Sequence, residues 1–293
     1  MRLSDYHIGS ESPLSCLFMG TTGAGKSIAA ASFPTPMYFA SFDGRMGSVA
    51  NFYRAHPELG VNLEAIEFDH FETFGPFIDK LDELERSCPY KTLVIDPLTT
   101  LCSKIISYNI GFRKGIKGKG AGKVRGKILF SGPEDYGAEI SGMRQILDNL
   151  EIIKMQQRVN IILTAHIVTV SYNSANKIKS EDGETVTSEQ KTERLIVTEG
   201  RKLAPKIPLT FDEVYNFYVE SSFGRVEYKV RTYNDGDVIA RTSFSGVPGD
   251  IEWSHKNFYN LIKPYFSEPK SPEVIQEEKQ IISNEVSADE SSF

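Results

Sequence analysis

The sequence lacks the marks of several large protein classes. None of its 293 residues lies in a run approaching the ~18 consecutive apolar residues that a membrane-spanning helix needs, which excludes a membrane span. The N-terminal segment has no apolar core of the kind found in secretory signals. Cys16, Cys88 and Cys102 are too few and too scattered for a disulfide framework or a zinc knuckle, and the five histidines form no metal-ligand cluster. These absences predict an intracellular protein in a reducing compartment.

Net charge is also small, but the average conceals three unlike parts. The whole chain has 33 Lys+Arg against 39 Asp+Glu, a formal net charge of −6, which by itself argues against a basic coat for nucleic acid. Residues 113–127, however, contain seven basic residues and no acidic one. Residues 267–293 contain two lysines against seven acidic residues, a net charge of −5, and the remainder has 24 basic against 32 acidic residues, a net charge of −8. A basic segment is therefore set in an acidic body.

Short apolar runs alternate with segments of helical spacing along much of the chain. Strands are predicted at 14–18, 37–42, 91–96 and 160–165, and helices at 27–32, from 77, from 98 and past 133. This alternation is typical of a parallel sheet covered by helices on both faces. Short β-like runs at 195–198, 213–219, 226–232 and 238–242 are typical of antiparallel strands. The predicted fold class is α/β: a mostly parallel sheet flanked by helices with C-terminal antiparallel strands, in one domain at 1–266, before a flexible acidic tail at 267–293.

A nucleotide-binding motif follows the first predicted strand. Residues 20–27, the P-loop, match G-x-x-x-x-G-K-[ST] at every position, between a strand and a helix. Glycines allow backbone N–H groups to curl around a phosphate, the Lys26 ammonium reaches the β- and γ-phosphates, and the Ser27 hydroxyl ligates Mg²⁺. The motif predicts ATP and Mg²⁺ as cofactors and assigns nucleotide binding to Gly20, Thr21, Thr22, Gly23, Ala24, Gly25, Lys26 and Ser27.

Three polar residues at predicted strand ends are candidates for catalysis. Asp96 ends the run Leu-Val-Ile-Asp and is predicted to hold Mg²⁺ through its water shell, with capping of the next helix as the alternative. Asp43 either orients or deprotonates the attacking water, or forms an Asp-Gly turn with Gly44. His166 follows the fourth predicted strand, where it either contacts the γ-phosphate or caps the strand through a hydrogen bond. Together with Lys26, these residues form the predicted catalytic set.

The order of these landmarks resembles the RecA-like P-loop ATPases of bacteriophages, nucleotide-binding proteins of the single-strand annealing and recombination type. The resemblance covers roughly residues 10–245 and depends on the P-loop, Phe42-Asp-Gly44, Val94-Ile-Asp96, Pro133-Glu-Asp-Tyr-Gly137, Leu163-Thr-Ala-His166, Gly200-Arg-Lys-Leu203 and Phe211-Asp-Glu-Val214. It implies an ATPase in which His166 takes the position of a polar sensor and Asp43 stands where relatives carry a glutamate base. It also implies a ring or filament in which Arg201 and Lys202 complete a neighbouring subunit's site, with a solvated basic turn as the alternative for these two residues. For a phage protein, it implies the host cytoplasm.

Two segments are predicted to bind single-stranded DNA. The basic loop, residues 111–127, interleaves glycines with cations that can neutralise phosphates. Its candidate DNA-binding residues are Arg113, Lys114, Lys117, Lys119, Lys123, Arg125 and Lys127. The resemblance places one DNA-binding loop here and a second at residues 167–192, directly after His166, so the phosphate state sensed at His166 is predicted to order or release the second loop. The predicted partners are single-stranded DNA, further copies of the chain, and a single-strand binding or recombination protein.

The residues leave other functions open. The basic loop also fits the lid of a kinase acting on a small molecule or nucleotide, or a solvated insertion, and the P-loop also fits a nucleotide-gated protein-interaction switch. A run of cations beside a nucleotide motif favours nucleic acid. The acidic tail either competes with DNA for the basic loop or keeps the chain soluble.

Overall fold

The computed structural model describes residues 13–114, 124–125, 128–129, 131–180, 183–200, 202–222, 224–236, 238–254 and 256–266, and the predicted tail lies outside them. The strands are β1 (Ser15–Gly20), β2 (Met37–Ser41), β3 (Ile66–His70), β4 (Thr92–Asp96), β5 (Val124–Arg125), β6 (Ile128–Leu129), β7 (Asn160–Ser180), β8 (Gly183–Ile196), β9 (Glu213–Ser222), β10 (Arg225–Arg231) and β11 (Asp250–Glu252). The helices are α1 (Lys26–Ala30), α2 (Met46–Ala55), α3 (Phe74–Arg86), α4 (Leu98–Lys114), α5 (Pro133–Gln157) and α6 (Phe258–Ile262). Short 3-10 helices cover Pro57–Leu59, Leu63–Ala65, Ile207–Thr210 and Lys263–Phe266.

A nine-stranded sheet forms the centre of the described fold. Its strand order is β11-β10-β9-β1-β7-β4-β2-β3, and β8 pairs with β7 outside this path. The strands from β9 to β3 in this order are parallel to their neighbours, whereas β10 is antiparallel to β9 and β11, and β8 is antiparallel to β7. β7 therefore separates the P-loop strand β1 from β4, which ends at Asp96. The predicted fold class is confirmed.

Both faces of the sheet are covered, which explains the nearly continuous apolar runs of its inner strands. In β1, Leu17 and Met19 belong to a core shared with α3, α4 and α5, while Cys16 and Phe18 belong to a core shared with α1, α2 and α6. All four side chains are at most 2% exposed. Because successive residues of a strand point to opposite faces, a strand buried on both faces needs apolar residues at every position.

Helix α5 shows how local sequence defines a helix and its buried face. Pro133 occupies its first turn, where the missing N–H costs nothing, and the Asp135 carboxylate accepts a hydrogen bond from the backbone N–H of Gly132 at 2.7 Å. Met143 and Leu150 are among the buried residues that recur every three or four positions and face the sheet. Neither α5 nor any other described helix is long and apolar enough to cross a membrane.

In the segment predicted as a second DNA-binding loop, residues 167–192, the described residues form the two paired strands of a β-hairpin. β7 continues beyond the predicted strand end at Ala165 as far as Ser180, and β8 returns antiparallel to it until Ile196. Paired strands satisfy each other's backbone hydrogen-bonding groups, so the polar composition that indicated a loop is also compatible with strands. The prediction of a loop is wrong here.

Other predicted boundaries also change. α4 extends to Lys114, so the beginning of the predicted basic loop is helical, and Arg113 and Lys114 belong to this helix. Arg125 lies in β5, which pairs with β6, whereas Lys117, Lys119, Lys123 and Lys127 lie outside the described residues. The predicted strand at 238–242 is reduced to a single bridge between Arg241 and Val214. β3 and β11 were not predicted, because they lie at the edges of the sheet and most of their residues are exposed, so neither forms a buried apolar run.

Candidate functional site

The P-loop connects β1 to α1, and its path depends on its glycines. Gly20 has a φ of 155° and lies so close to β9 that a Cβ atom on it would be 2.0 Å from the carbonyl oxygen of Phe217. Gly25 has a φ of 87°, and a Cβ atom there would be 2.2 Å from the ring of Trp253. At Gly23, with a φ of 81°, a Cβ atom would meet nothing within 4 Å. The loop is thus packed at both ends, whereas Thr21, Thr22 and Gly23 between them are exposed, on the part of the loop that a phosphate can approach.

Lys26, the first residue of α1, is only 5% exposed. Its ammonium donates hydrogen bonds to the carbonyl oxygens of Gly20 at 3.0 Å and Thr21 at 2.8 Å, and to Nδ1 of His166 at 3.3 Å. Because an ammonium has only donors, the imidazole accepts at Nδ1 and carries its proton on Nε2. Burial lowers the pKa of Lys26 to about 8, and the Asp96 carboxylate opposes this shift. A cation in such surroundings is stabilised strongly by an anionic ligand.

Asp96 lies at the carboxyl end of β4, on the far side of β7 from the P-loop strand. Its buried carboxylate accepts hydrogen bonds from the hydroxyl groups of Thr164, in β7, and Ser27, in α1. Burial raises the pKa of Asp96 above its usual value, although these two hydroxyl groups and Lys26 oppose the shift. Thr164 therefore bridges the gap between the two strands and holds the carboxylate beside Ser27.

His166 forms hydrogen bonds with the P-loop, with α4 and with the residue that follows β8. Its Nδ1 lies 3.3 Å from the Lys26 ammonium and 3.5 Å from the Thr22 hydroxyl. Its backbone N–H donates to the Thr99 hydroxyl in the first turn of α4 at 3.1 Å, and its carbonyl accepts from the N–H of Val197, just after β8, at 2.8 Å. Burial and the Lys26 charge lower the pKa of His166 below 6.5, so the imidazole is neutral at pH 7.

Asp43 forms the predicted Asp-Gly turn and also lies on the wall of the cleft. Its Oδ1 accepts a hydrogen bond from the backbone N–H of Arg45 at 3.1 Å, and Oδ2 lies 3.7 Å from Nε of Arg45. With Gly44 at a φ of 70°, this is the predicted Asp-Gly turn. The same turn places Asp43 on the wall of the cleft that Lys26 and Asp96 also line.

This cleft of about 280 Å³ contains the whole predicted catalytic set. It is lined by Thr22, Gly23, Gly25, Lys26, Ser27, Ile28, Asp43, Arg45, Ser48, Asp96 and His166. Lys26, Asp43, Asp96 and His166 are far apart in the sequence, but each lies at or just beyond the carboxyl end of the parallel part of a strand. Since the carboxyl ends of parallel strands meet at one edge of a sheet, the fold brings them together.

The oxygen donors of the cleft fit a magnesium ion that arrives with a nucleotide. Ser27 supplies a hydroxyl and Asp96 a carboxylate, which are hard oxygen ligands of the kind that Mg²⁺ prefers. Within the described part of the chain, no group of three or more His, Cys, Asp or Glu side chains could hold a metal by itself. Two protein oxygens leave the other coordination positions to water and phosphate oxygens, as is usual for Mg²⁺ bound with a nucleotide.

Of the two candidate trans-acting residues, Lys202 does not line this cleft. Lys202 is exposed in the turn that follows Gly200, and Arg201 falls outside the described residues. The turn itself is fixed to α5, because the buried Glu139 carboxylate accepts the backbone N–H groups of Glu199 and Gly200 at 3.1 and 2.6 Å. A fixed basic turn on the surface is compatible with action on a neighbouring subunit.

Sequence reasoning missed three residues of the site. Thr164 holds Asp96, Thr99 accepts the N–H of His166, and Arg45 lines the cleft beside Asp43. A signal for Thr164 was present, because residues two apart in a strand share a face and Thr164 stands two before His166. For Thr99 and Arg45 the sequence offers no comparable pattern.

Comparison with known proteins agrees with this geometry. No curated protein matches the chain with significant similarity. The profile of the AAA domain family AAA_24 matches residues 12–243, a range that contains the P-loop, Asp96 and His166. Because the match covers well over half of the 293 residues, the chain belongs to this AAA domain family and is a P-loop protein of the nucleotide-binding, ATPase type.

Proposed function

We propose that the protein hydrolyses ATP with Mg²⁺ and binds single-stranded DNA in phage-type recombination, annealing or repair, with hydrolysis stimulated by DNA. Membership of the family supports nucleotide binding and ATPase activity. The observation that carries the DNA proposal is the position of His166: its side chain contacts Lys26, and its backbone is bonded to α4 and to the base of the hairpin. The hairpin therefore begins at the nucleotide site, and the basic loop is connected to that site through α4.

The cleft residues have separate roles in this proposal. The N–H groups of the P-loop and the Lys26 ammonium bind the phosphates, while Ser27 and Asp96 would hold Mg²⁺. When bound, the ion neutralises charge on the phosphate oxygens. Asp43 orients the attacking water or accepts its proton. His166, neutral and protonated at Nε2, donates a hydrogen bond to the γ-phosphate and loses that contact after hydrolysis.

Helix α4 connects the cleft to the basic loop. Thr99 in its first turn accepts the N–H of His166, and Lys114 at its end is followed by the remaining cations of the loop. A helix of 17 residues is about 25 Å long, so the cations begin at this distance from the nucleotide. If four to six of them contact phosphates of a single strand, the logarithm of affinity falls with the logarithm of salt concentration with a slope of roughly −3 to −4.

The hairpin formed by β7 and β8 takes the place of the predicted second loop. β7 passes without interruption from the centre of the sheet into the hairpin, and Val197 closes its base on the carbonyl of His166. A shift of His166 after phosphate loss would therefore tilt paired strands, where the sequence predicted that a loop becomes ordered or released.

The test measures ATP hydrolysis and affinity for a labelled oligo(dT) on the same three proteins over a range of salt concentrations. The first is the wild type, and the second replaces Lys117, Lys119 and Lys123 with Gln. The control removes the same charge from exposed lysines elsewhere, Lys91, Lys206 and Lys263. We expect oligo(dT) to stimulate the wild type. We also expect the basic-loop variant to bind at least about tenfold more weakly with a salt slope smaller by about 2, and the control to change little.

Two outcomes would contradict this assignment. Equal hydrolysis with and without oligo(dT), together with equal affinities of the basic-loop variant and the control, would overturn the DNA proposal and leave the ATPase standing. Transfer of the γ-phosphate to a small-molecule acceptor in preference to water would identify a kinase.

We propose further that hydrolysis is completed between subunits of a ring or filament, with Arg201 and Lys202 reaching a neighbour's nucleotide. Mixing Lys26→Met subunits with Arg201→Ala/Lys202→Ala subunits then restores part of the ATPase activity that each lacks alone. Two inactive variants that stay inactive when mixed would refute this arrangement.

A further inference from the structure

Trp253, the only tryptophan of the chain, follows β11 and lies beyond residue 243, where the family match ends. Its side chain is 3% exposed. The indole edge formed by Cζ2 and Cη2 lies against Gly25, since a Cβ atom on Gly25 would be 2.2 Å from Cζ2 and 2.5 Å from Cη2. The ring therefore occupies the side of the P-loop from which a side chain at residue 25 would project.

The other end of the P-loop is supported by the adjacent strand β9. Gly20, the first residue of the loop, lies against the carbonyl oxygen of Phe217 in that strand. The ring of Phe217 is 5.8 Å from that of Trp253 at an interplanar angle of 80°. Supports under Gly20 and Gly25 leave the intervening Gly23 open, so the loop is fixed at its ends and free where a phosphate would bind.

Trp253 is itself held in place by backbone and ring contacts. The backbone N–H of Trp253 donates to the carbonyl of Tyr228 at 3.0 Å, and the backbone carbonyl of Trp253 accepts from the N–H of Lys256 at 2.9 Å. The ring makes edge-to-face contacts with Phe258, at 6.2 Å between centroids, and with Tyr228, at 6.1 Å. A side chain fixed in this way is a stiff support for the loop.

The indole nitrogen indicates that core packing alone does not explain this residue. Nε1 is buried and has no hydrogen-bond partner among the described residues, which destabilises the fold. Phenylalanine would fill much of the same space without an unpaired N–H, but it lacks the Cζ2–Cη2 edge that reaches Gly25.

We infer that Trp253 is a positioning residue for nucleotide binding: it presses on Gly25 and holds the P-loop in the conformation that presents its N–H groups to the phosphates. The inference rests on the proposed nucleotide binding at the P-loop and is independent of DNA. It assigns a role in the nucleotide site to a C-terminal segment outside the family match.

The first test compares Trp253→Phe with Phe266→Leu, a core variant of the same C-terminal region. Phe266 packs on Phe244 with 4.6 Å between ring centroids and on Tyr259 with 5.8 Å, and the described ring pairs do not join it to Trp253. For Trp253→Phe we expect the KM for ATP, and the dissociation constant of a fluorescent ATP analogue with Mg²⁺, to rise about tenfold while kcat changes less than about twofold. Phe266→Leu lowers the free energy of unfolding without changing KM.

The outcomes of this test are separable. If Trp253→Phe lowers stability and leaves KM and the dissociation constant at their wild-type values, Trp253 is a core residue only and the inference is wrong. If the wild type itself fails to bind the analogue, nucleotide binding at the P-loop fails first.

A second measurement needs no substitution at Trp253. As the only tryptophan, it reports directly on the loop, so saturating ATP analogue with Mg²⁺ should change the intensity or peak position of the wild-type emission. Lys26→Met, which removes the phosphate-binding ammonium, should show no change at the same concentration. If the emission spectrum of the wild type were the same with and without bound analogue, the inference that Trp253 supports the P-loop through Gly25 would be wrong.

Discussion

The two ends of strand β1 each lie beside a buried lysine, and the two lysines are opposite in character. Lys26, after the carboxyl end, is bonded to backbone carbonyls and an imidazole, and burial lowers its pKa to about 8. Lys154 of α5, beside the amino end, lies 2.8 Å from Asp212 and 3.3 Å from Glu151. Burial disfavours its charge too, but these carboxylates outweigh burial and hold the pKa of Lys154 above its usual value.

The pKa values of Asp96 and Asp212, which lie near the same two ends, are also shifted in opposite directions. Burial raises the pKa of Asp96 despite its hydrogen bonds from Thr164 and Ser27. For Asp212, the hydrogen bonds from Lys154 and Ser15 outweigh burial and hold the pKa below its usual value. At one end of the strand burial disfavours both charges, whereas at the other end each charge has an opposite partner.

This difference in charge compensation distinguishes the ion pair of Lys154 and Asp212, which stabilises the fold, from the nucleotide cleft around Lys26 and Asp96. Lys154 and Asp212 compensate each other within the chain, so their charges stabilise the folded state itself. The charges of Lys26 and Asp96 are only partly compensated within the chain. A phosphate would supply the negative charge that Lys26 lacks, and a metal ion the positive charge that Asp96 lacks. Perturbed charges of this second kind mark functional sites, because stability is lost there in exchange for affinity.

The largest expected effect is on Lys26. Lys26→Met keeps most of the side-chain volume and removes the charge, so we expect nucleotide affinity to fall by about 100-fold or more. The free energy of unfolding should stay the same or rise, because burying this charge disfavours the folded state. Equilibrium binding of a fluorescent ATP analogue and urea unfolding measure the two quantities. If Lys26→Met lowered the free energy of unfolding as well as the nucleotide affinity, Lys26 would be a stabilising residue like Lys154, and the proposed difference between the two lysines would be wrong.

Lys154→Met is the matched substitution at the other end. It leaves Asp212 without its charged partner, so we expect the free energy of unfolding to fall by about 1–2 kcal/mol, a modest value because Asp212 is half exposed. Nucleotide affinity should remain within about twofold of wild type, since Lys154 is at the opposite end of the sheet. The same two measurements decide this, and a large loss of affinity here would show that the two ends are coupled.

The smallest expected effect is a pH dependence from Asp212. Because its folded pKa lies below its unfolded value of 3.8, it contributes stability above pH 3.8 that is lost as the pH falls through the folded pKa. Asp212→Asn should therefore cost about 1 kcal/mol at pH 7 and progressively less as the pH falls below 3.8. Urea unfolding over this range is compared with that of Asp148→Asn, which changes an exposed aspartate of α5 that lines the same small pocket as Asp212 and Lys154. A cost for Asp212→Asn that is independent of pH would exclude the ion pair as its source.

Sequence patterns predicted the parts of the fold and site that depend on neighbouring residues. The P-loop is recognisable because phosphate binding needs glycines and a lysine at fixed spacing, and Asp96 and His166 because they end apolar runs. The hairpin was predicted as a loop because its strands are held by hydrogen bonds to each other. The sequence between His166 and Ile196 contains no pattern that identifies which residues pair.

The sequence by itself determined that this chain forms an alternating α/β fold with a P-loop and a basic segment within an acidic body, because local periodicity and spacing carry that information. Only the tertiary structure decided which charges are compensated and what supports the P-loop. Lys154 meets Asp212, and Gly25 meets Trp253, only after the chain has folded, and their energies depend on burial and distance between residues that the sequence keeps far apart.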